Sequence, residues 1–476
     1  MDDAASLALN DLILRTPSAQ FEAKAQTWRE DLASAYPAAT EARQQEIAEL
    51  LAENTVDLRS VLPDWRLKCW ENHPHSASCT VVSGGALAGL AEENLALLRQ
   101  WGRQELAVGA EAEIATLAQS NLAELTRMSF AGKANTYWGN DYAMHLREAM
   151  RRGAALVTTN PVLVNAARKA DPGYWEPVRD QLRQEHPGFS PVELAYALTV
   201  QVVARNAKLM RPIWELTERR FGYVSLQLSP ECATDAEQMV SEAKWVWERL
   251  EEALGGTPNC VFKVPGTRAG IDVAGELGAA GIGVNITVNF TLPQQIAFAG
   301  IIQQRSTAPV NFRTQMDGRL DDPVGEEMQA AGVSDADEVK KWCTTAIRQR
   351  EYRLLSKAPQ GGGVGLDKSC PLGAAGRGPW NVLRSIHNEP EVAMFITIFP
   401  DRQAQFDEEP RALDPQGMWT PLPAGYLDKL NKSQLFRQAF EPDGLRVEEF
   451  DTYLPAVRTL TQFCESYQEF LAWIAG

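Results

Sequence analysis

Cysteine is sparse and unpatterned: seven residues in a chain of 476, scattered, with no CxxC pair. An odd, dispersed set fits free thiols in a reducing compartment and supplies no disulfide framework. Histidine is scarcer still, five in all. His73-Pro74-His75 lies near Cys69 and Cys79, but a polar His-Pro-His run reads first as loop, and no metal is expected there. Positive charge is also short. Lys+Arg number 46 against 62 Asp+Glu, a net charge of −16, which argues against a dedicated nucleic-acid or anionic-membrane surface and leaves room only for a local basic pocket. No window approaches the roughly 18 apolar residues of a membrane-crossing helix. Met1-Asp2-Asp3 offers no basic segment of a secretory signal. What remains is an ordinary globular composition, 45% hydrophobic and 23% charged, expected of a cytoplasmic, enzyme-sized protein.

Two textures divide the chain. Residues 21–51 and 84–125 are rich in Ala, Leu, Glu and Gln, with apolar positions recurring every three or four residues, so a helical region is predicted over 1–128. From about residue 130, short β-rich runs alternate with helical patterns: 154–158, 222–228, 260–264, 284–288, 310–314 and 394–399. Such apolar runs suit parallel strands buried on both faces. Strands near 131–136 and 363–367 would bring the set to eight. Eight βα units predict an α/β fold, a (β/α)8 TIM barrel over 129–430, with chemistry at the C-terminal ends of its strands. Residues 165–220 and 321–360 read as helical insertions or lids. The last region, 431–476, is predicted to be helical, with an amphipathic helix over 457–474 packing on the barrel mouth or side.

Polar residues at the strand ends are therefore the candidates. Val157-Thr158-Thr159-Asn160-Pro161 ends one run, and Val224-Ser225-Leu226-Gln227 another. Asn285 and Thr287 share a face by period-two alternation. Cys260-Val261-Phe262-Lys263-Val264-Pro265 sets a lysine inside an apolar run. Burial there should lower its pKa, and a neutral amine is what Schiff-base formation with a carbonyl requires. A lysine snorkelling from an edge strand, or paired with a carboxylate, would look the same in sequence.

The ordered set Thr158-Thr159-Asn160-Pro161, Lys263-Val264-Pro265-Gly266-Thr267 and residues 281–287 resembles the transaldolases. Tyr223-Val224-Ser225 through Ala233-Thr234-Asp235-Ala236-Glu237 adds to the likeness, which covers roughly residues 130–400. The resemblance implies a Schiff-base barrel without metal or organic cofactor. Such enzymes move a dihydroxyacetone unit from a ketose phosphate to an aldose phosphate in carbohydrate metabolism, as in the pentose phosphate pathway. Carried over, Lys263 matches the Schiff-base lysine, Asn160 and Asn285 the asparagines that bind donor hydroxyls, and Thr287 the hydroxyl that holds a catalytic water. Thr159 and Thr314 are further substrate contacts. Arg319, in Asp317-Gly318-Arg319, matches the phosphate ligand, against the plainer reading of an ion pair with Asp321 or Asp322. Lys368 and Ser369, after the glycine-rich run 361–367, would make a second phosphate contact or a simple loop.

Two positions depart from the family. Its catalytic aspartate at the first strand finds its nearest match in Ala134-Asn135-Thr136, an asparagine that cannot move a proton. Its glutamate at the third strand is Gln227, as in the related fructose-6-phosphate aldolases. Asp141 could substitute for the aspartate if its loop folds inward, although an Asp before a helical pattern is more often an N-cap. Three functions stay open: a transaldolase, an aldolase or other imine chemistry on a sugar phosphate, and a barrel that binds phosphorylated sugars without turnover. Each takes a phosphorylated sugar and leaves room for a homodimer; none calls for nucleic acid or a membrane.

Overall fold

A computed structural model describes residues 3–72, 81–356 and 368–476. Among the described residues, eight parallel strands close into a barrel in chain order. They are β1 (Thr136–Asn140), β2 (Leu156–Thr158), β3 (Tyr223–Gln227), β4 (Cys260–Pro265), β5 (Gly283–Thr287), β6 (Phe312–Gln315), β7 (Cys370–Ala374) and β8 (Met394–Ile398). Nearly every strand residue is buried, because the barrel fills one face and the surrounding helices cover the other. Lys263 stands in register between Gln227 of β3 and Asn285 of β5. The His73–His75 segment with Cys79, and the run 361–367, lie outside the described residues.

Two strands sit later than their sequence suggests. The stretch 131–136 follows the helix Asn121–Phe130, and Gly132, at φ 71°, turns the chain out of it. The strand starts only at Thr136 and pairs with β8 through Asn140. β7 contains Pro371 and Gly373, poor strand formers, and is held by pairing with β6 and β8.

The described residues before β1 are mostly helical, as predicted, but they are not insulated from the barrel. Ile13, Leu14, Phe21, Leu58, Val61, Leu62 and Trp65 belong to one buried cluster with Leu156, Val224, Phe262 and Phe395 of the strands. Polar groups join the same layers. Asp57, fully buried, takes Arg147 on one carboxylate oxygen and Arg151 Nε at 2.8 Å on the other. Arg151 also reaches Glu53, and Glu113 at 2.8 Å. Burial alone would pull the Arg151 pKa down, yet Asp57, Glu53 and Glu113 outweigh it and raise it. The C-terminal helix, Leu454–Ala475, lies across the mouth of the barrel, and Phe463 forms part of the wall of the cavity there.

Candidate active site

Lys263 is 7% exposed at the centre of that cavity, and its Nζ donates to the Thr159 carbonyl at 2.7 Å. Asp141 enters the same cavity directly after β1, its N–H still continuing the ladder to the Ile398 carbonyl at 3.1 Å. The carboxylate does not cap a helix. The following helix, Leu146–Arg151, begins after His145 and has no side-chain cap. Asp141 instead accepts from Thr158 Oγ1 at 2.6 Å. Its loop is fixed from below: Asn140 Nδ2 donates to the Tyr142 carbonyl at 2.6 Å, and Asn206 Nδ2 to the Ala143 carbonyl at 2.9 Å.

Burial acts on both groups and drives each toward its neutral form. Desolvation lowers the Lys263 pKa, partly offset by the Asp141 charge. Desolvation raises the Asp141 pKa, partly offset by Lys263, the Thr158 hydrogen bond and Arg319. An amine eased toward neutrality beside a carboxyl eased toward protonation is a nucleophile with a proton donor.

Beneath them a chain of hydrogen bonds links β3, β5 and β6. Asn285 donates to Ser225 Oγ at 3.1 Å and accepts from Thr314 Oγ1 at 2.6 Å. Thr287 and Thr314 both line the cavity, as does Asn160, whose Oδ1 accepts the Leu163 N–H at 3.1 Å. Beyond Thr287, Val288 adopts a left-handed backbone at φ 52°, costly for a β-branched residue. Gln294 holds it there, its Nε2 donating to the carbonyls of Gly266 at 2.7 Å and Val288 at 3.2 Å. One buried amide thus ties the ends of β4 and β5 together.

Arg319 and Arg377 stand on one side of the cavity. Arg377 donates to Asp322 Oδ2 at 2.7 Å, so Asp322 engages Arg377 and not Arg319. A Cβ at Gly318 would collide with the Arg377 side chain, which explains the glycine between Asp317 and Arg319. Arg319 bonds Gln462 and lies over the Phe463 ring. Burial first, and then the neighbouring Arg377 charge, pull its pKa down.

The cavity therefore gathers Asp141, Asn160, Lys263, Thr287, Thr314 and Arg319. Thr159 contributes its carbonyl. Gln227 on β3 and fully buried Asn285 on β5 flank Lys263 but do not line the cavity, and Gln227 Oε1 is buried without a partner. Three expected residues are elsewhere. Asn135 precedes β1, at the opposite end of the barrel, and donates to the Glu389 carbonyl at 2.9 Å. Asp141, not Asn135, holds the strand-end position. Lys368 and Ser369 precede β7 at that same far end, because the strand starts after them. Lys368 Nζ donates to the Ser306 carbonyl at 2.9 Å, and Ser369 Oγ accepts from Arg313 Nε at 2.8 Å. Sequence reasoning missed Arg377, which a correct placement of the seventh strand would have put just beyond its end, and Thr158 as the partner of Asp141.

Residues 144–343 match the family model described as Transaldolase/Fructose-6-phosphate aldolase. Transaldolase 1 of Streptomyces avermitilis is 28% identical over 214 residues, covering 42% of this chain and 54% of that protein. Transaldolase of Thiobacillus denitrificans is 27% identical over 220 residues, 44% of this chain and 59% of that protein. Transaldolase of Neisseria meningitidis serogroup C is 31% identical over 198 residues, 39% and 54%. The chain spans a little over half the length of these relatives. The resemblance to the transaldolase family holds over β2 to β6; Asp141, Arg377 and the C-terminal helix lie outside the matched residues.

Proposed function

Taking a barrel that resembles the transaldolases as the starting point, we propose that this protein forms a Schiff base between Lys263 and the carbonyl of a phosphorylated ketose. The observation that carries the reading is the pair Lys263 and Asp141, buried in one cavity and each pushed toward its neutral form. The neutral amine adds to the ketose carbonyl to give a carbinolamine. Asp141 protonates the departing hydroxyl, water leaves, and the protonated imine (the iminium) forms. The Asp141 carboxylate, directly or through a water beside Thr287, then takes the proton of the hydroxyl on the carbon to be released. The carbon–carbon bond breaks, an aldehyde departs, and its electron pair moves into the iminium to leave an enamine on Lys263. Asn160, at the cavity wall, is suited to a donor hydroxyl, with Asn285 holding Thr314 beneath it, and Arg319 with Arg377 are suited to the phosphate, where planar donor forks favour bidentate contact.

Borohydride reduction in the presence of ketose phosphates, read by intact mass, tests this. A single reduced adduct on Lys263 is expected. A barrel that only binds the sugar phosphate gives none, and absence of an adduct with every ketose phosphate would overturn the Schiff-base reading. Gln227 supports a second reading. With an amide where transaldolases carry a glutamate, the enamine can be protonated and hydrolysed instead of attacking an acceptor. Incubating fructose 6-phosphate with and without an aldose phosphate separates the two: turnover that requires the acceptor is transfer, and glyceraldehyde 3-phosphate released without it is aldol cleavage.

A further inference from the structure

The C-terminal helix crosses the cavity at the corner where the arginines stand. Exposed Gln462 accepts from Arg319 Nη1 at 2.5 Å. Phe463, 1% exposed, sets its ring centroid 5.1 Å from the Arg319 guanidinium carbon. The helix is strapped to three separate connections of the barrel. Lys169 after β2 pairs with Glu469 at 2.5 Å, Glu231 after β3 accepts from Gln468 at 3.2 Å, and Glu326 after β6 accepts from Arg458 at 3.0 Å. Those surface contacts are weak singly, but buried Phe463, Tyr467, Phe470 and Ile474 seat the helix, so it is a packed beam and not a free flap. Arg319 needs such a support, because the like charge of Arg377 repels it and a long side chain otherwise loses rotamer freedom when it binds an anion.

We propose that Gln462 and Phe463 are positioning residues for Arg319. Together they take one arm and one face of its guanidinium, leave its other donors toward the cavity, and so set the affinity for the substrate's phosphate. The inference rests on the reading of Arg319 as a phosphate ligand. It extends the site to a helix that the family match does not reach.

Inorganic phosphate is the probe, titrated calorimetrically into the full chain, beside steady-state kinetics with fructose 6-phosphate. Gln462→Leu and Phe463→Leu should each weaken phosphate binding about three- to tenfold, the net worth of one solvent-accessible hydrogen bond or one cation–π contact. KM for the sugar phosphate should rise in parallel while kcat changes less than about twofold, a split that general loosening of the fold would not produce. Gln462→Leu should melt with the parent, since the residue is exposed. Gln462→Glu, which keeps the acceptor but neutralises the guanidinium, should weaken phosphate binding at least as much. Unchanged phosphate affinity in both leucine variants, or no phosphate binding by the parent, would overturn the inference. Phosphate binding that weakens as expected in a protein forming no borohydride adduct would overturn the Schiff-base reading and leave this one standing.

Discussion

Asp141 and Arg147 are near neighbours in the chain, yet they sit in opposite kinds of buried electrostatics. Arg147 and Arg151 meet Asp57, Glu53 and Glu113 across the junction with the N-terminal helices, where every charge has close opposite partners. Asp141 and Lys263 share a cavity where burial outweighs their mutual attraction, and each is driven toward neutrality. Both groups are desolvated. The difference lies in whether the opposite charges within reach outweigh the cost of burial. Saturated in that sense, a buried ion acts as a joint; where burial wins, it becomes able to exchange a proton near neutral pH.

The sharpest break of this contrast is Lys263→Met. Adduct formation should vanish altogether while the protein becomes more stable near neutral pH. A depressed lysine pKa means that the unfolded chain binds the proton better, so the native state carries a penalty at low and neutral pH. That penalty shrinks as pH rises from the folded pKa toward the unfolded value of about 10.4, and the advantage of the Met variant should shrink with it. Thermal melts of both proteins across pH check this, and a variant less stable at pH 7 would count against a depressed lysine. Asp57→Asn should act in the opposite sense. Removing the charge shared by two buried arginines should cost about 3–5 kcal/mol, measured by urea unfolding; a loss below about 1 kcal/mol would mean that the junction does not depend on Asp57.

Asp141→Asn comes next. Losing a positioned general acid should slow trapping about a hundredfold. Asp141 has a raised pKa, so its charged form weakens the native state above that pKa, and the Asn variant should lose no stability at neutral pH. Because the Asp141 charge raises the Lys263 pKa, removing it should also move the pH profile of trapping to lower pH. A profile displaced to higher pH would contradict the electrostatic pairing.

How much of this is legible in the sequence depends on how local each signal is. Lys263 stands out because a lysine in the middle of Cys260–Pro265 is anomalous on composition alone. β2 to β6 read clearly as apolar runs, and the family motifs fall on them. β1 and β7 do not. The first is preceded by a helix end that resembles its start, and the second contains Pro371 and Gly373, so its position is fixed by neighbours and not by propensity. Placing those two strands too early sets Asn135 ahead of Asp141 as the match to the family's aspartate and brings forward Lys368 and Ser369 instead of Arg377. The C-terminal helix is legible from its periodicity, but which arginine it meets is a tertiary fact. The junction around Asp57 has no sequence signature, since its charges come from helices on both sides of the helix Gly84–Gln100 and resemble ordinary solvated faces.

The smallest expected effect belongs to Gln227→Glu, and it tests the contrast in reverse. Gln227 pairs in register with Lys263, and adjacent strands lie about 4.8 Å apart. A carboxylate here would give Lys263 a second opposite charge and move the cavity toward the saturated condition of the junction. The residue is only half-buried, so screening should keep the rise in the lysine pKa small. Trapping should therefore shift to higher pH, opposite to Asp141→Asn. A glutamate also offers a second acid–base group where the buried amide oxygen now has no partner, so transfer to an aldose phosphate should gain several-fold over release without acceptor, well below the full worth of general acid–base catalysis, about 10²–10⁴-fold. The double variant Asp141→Asn, Gln227→Glu should return the pH profile close to the parent's without restoring the rate. An unchanged profile in the single variant would mean that the side chain at 227 points away from the lysine.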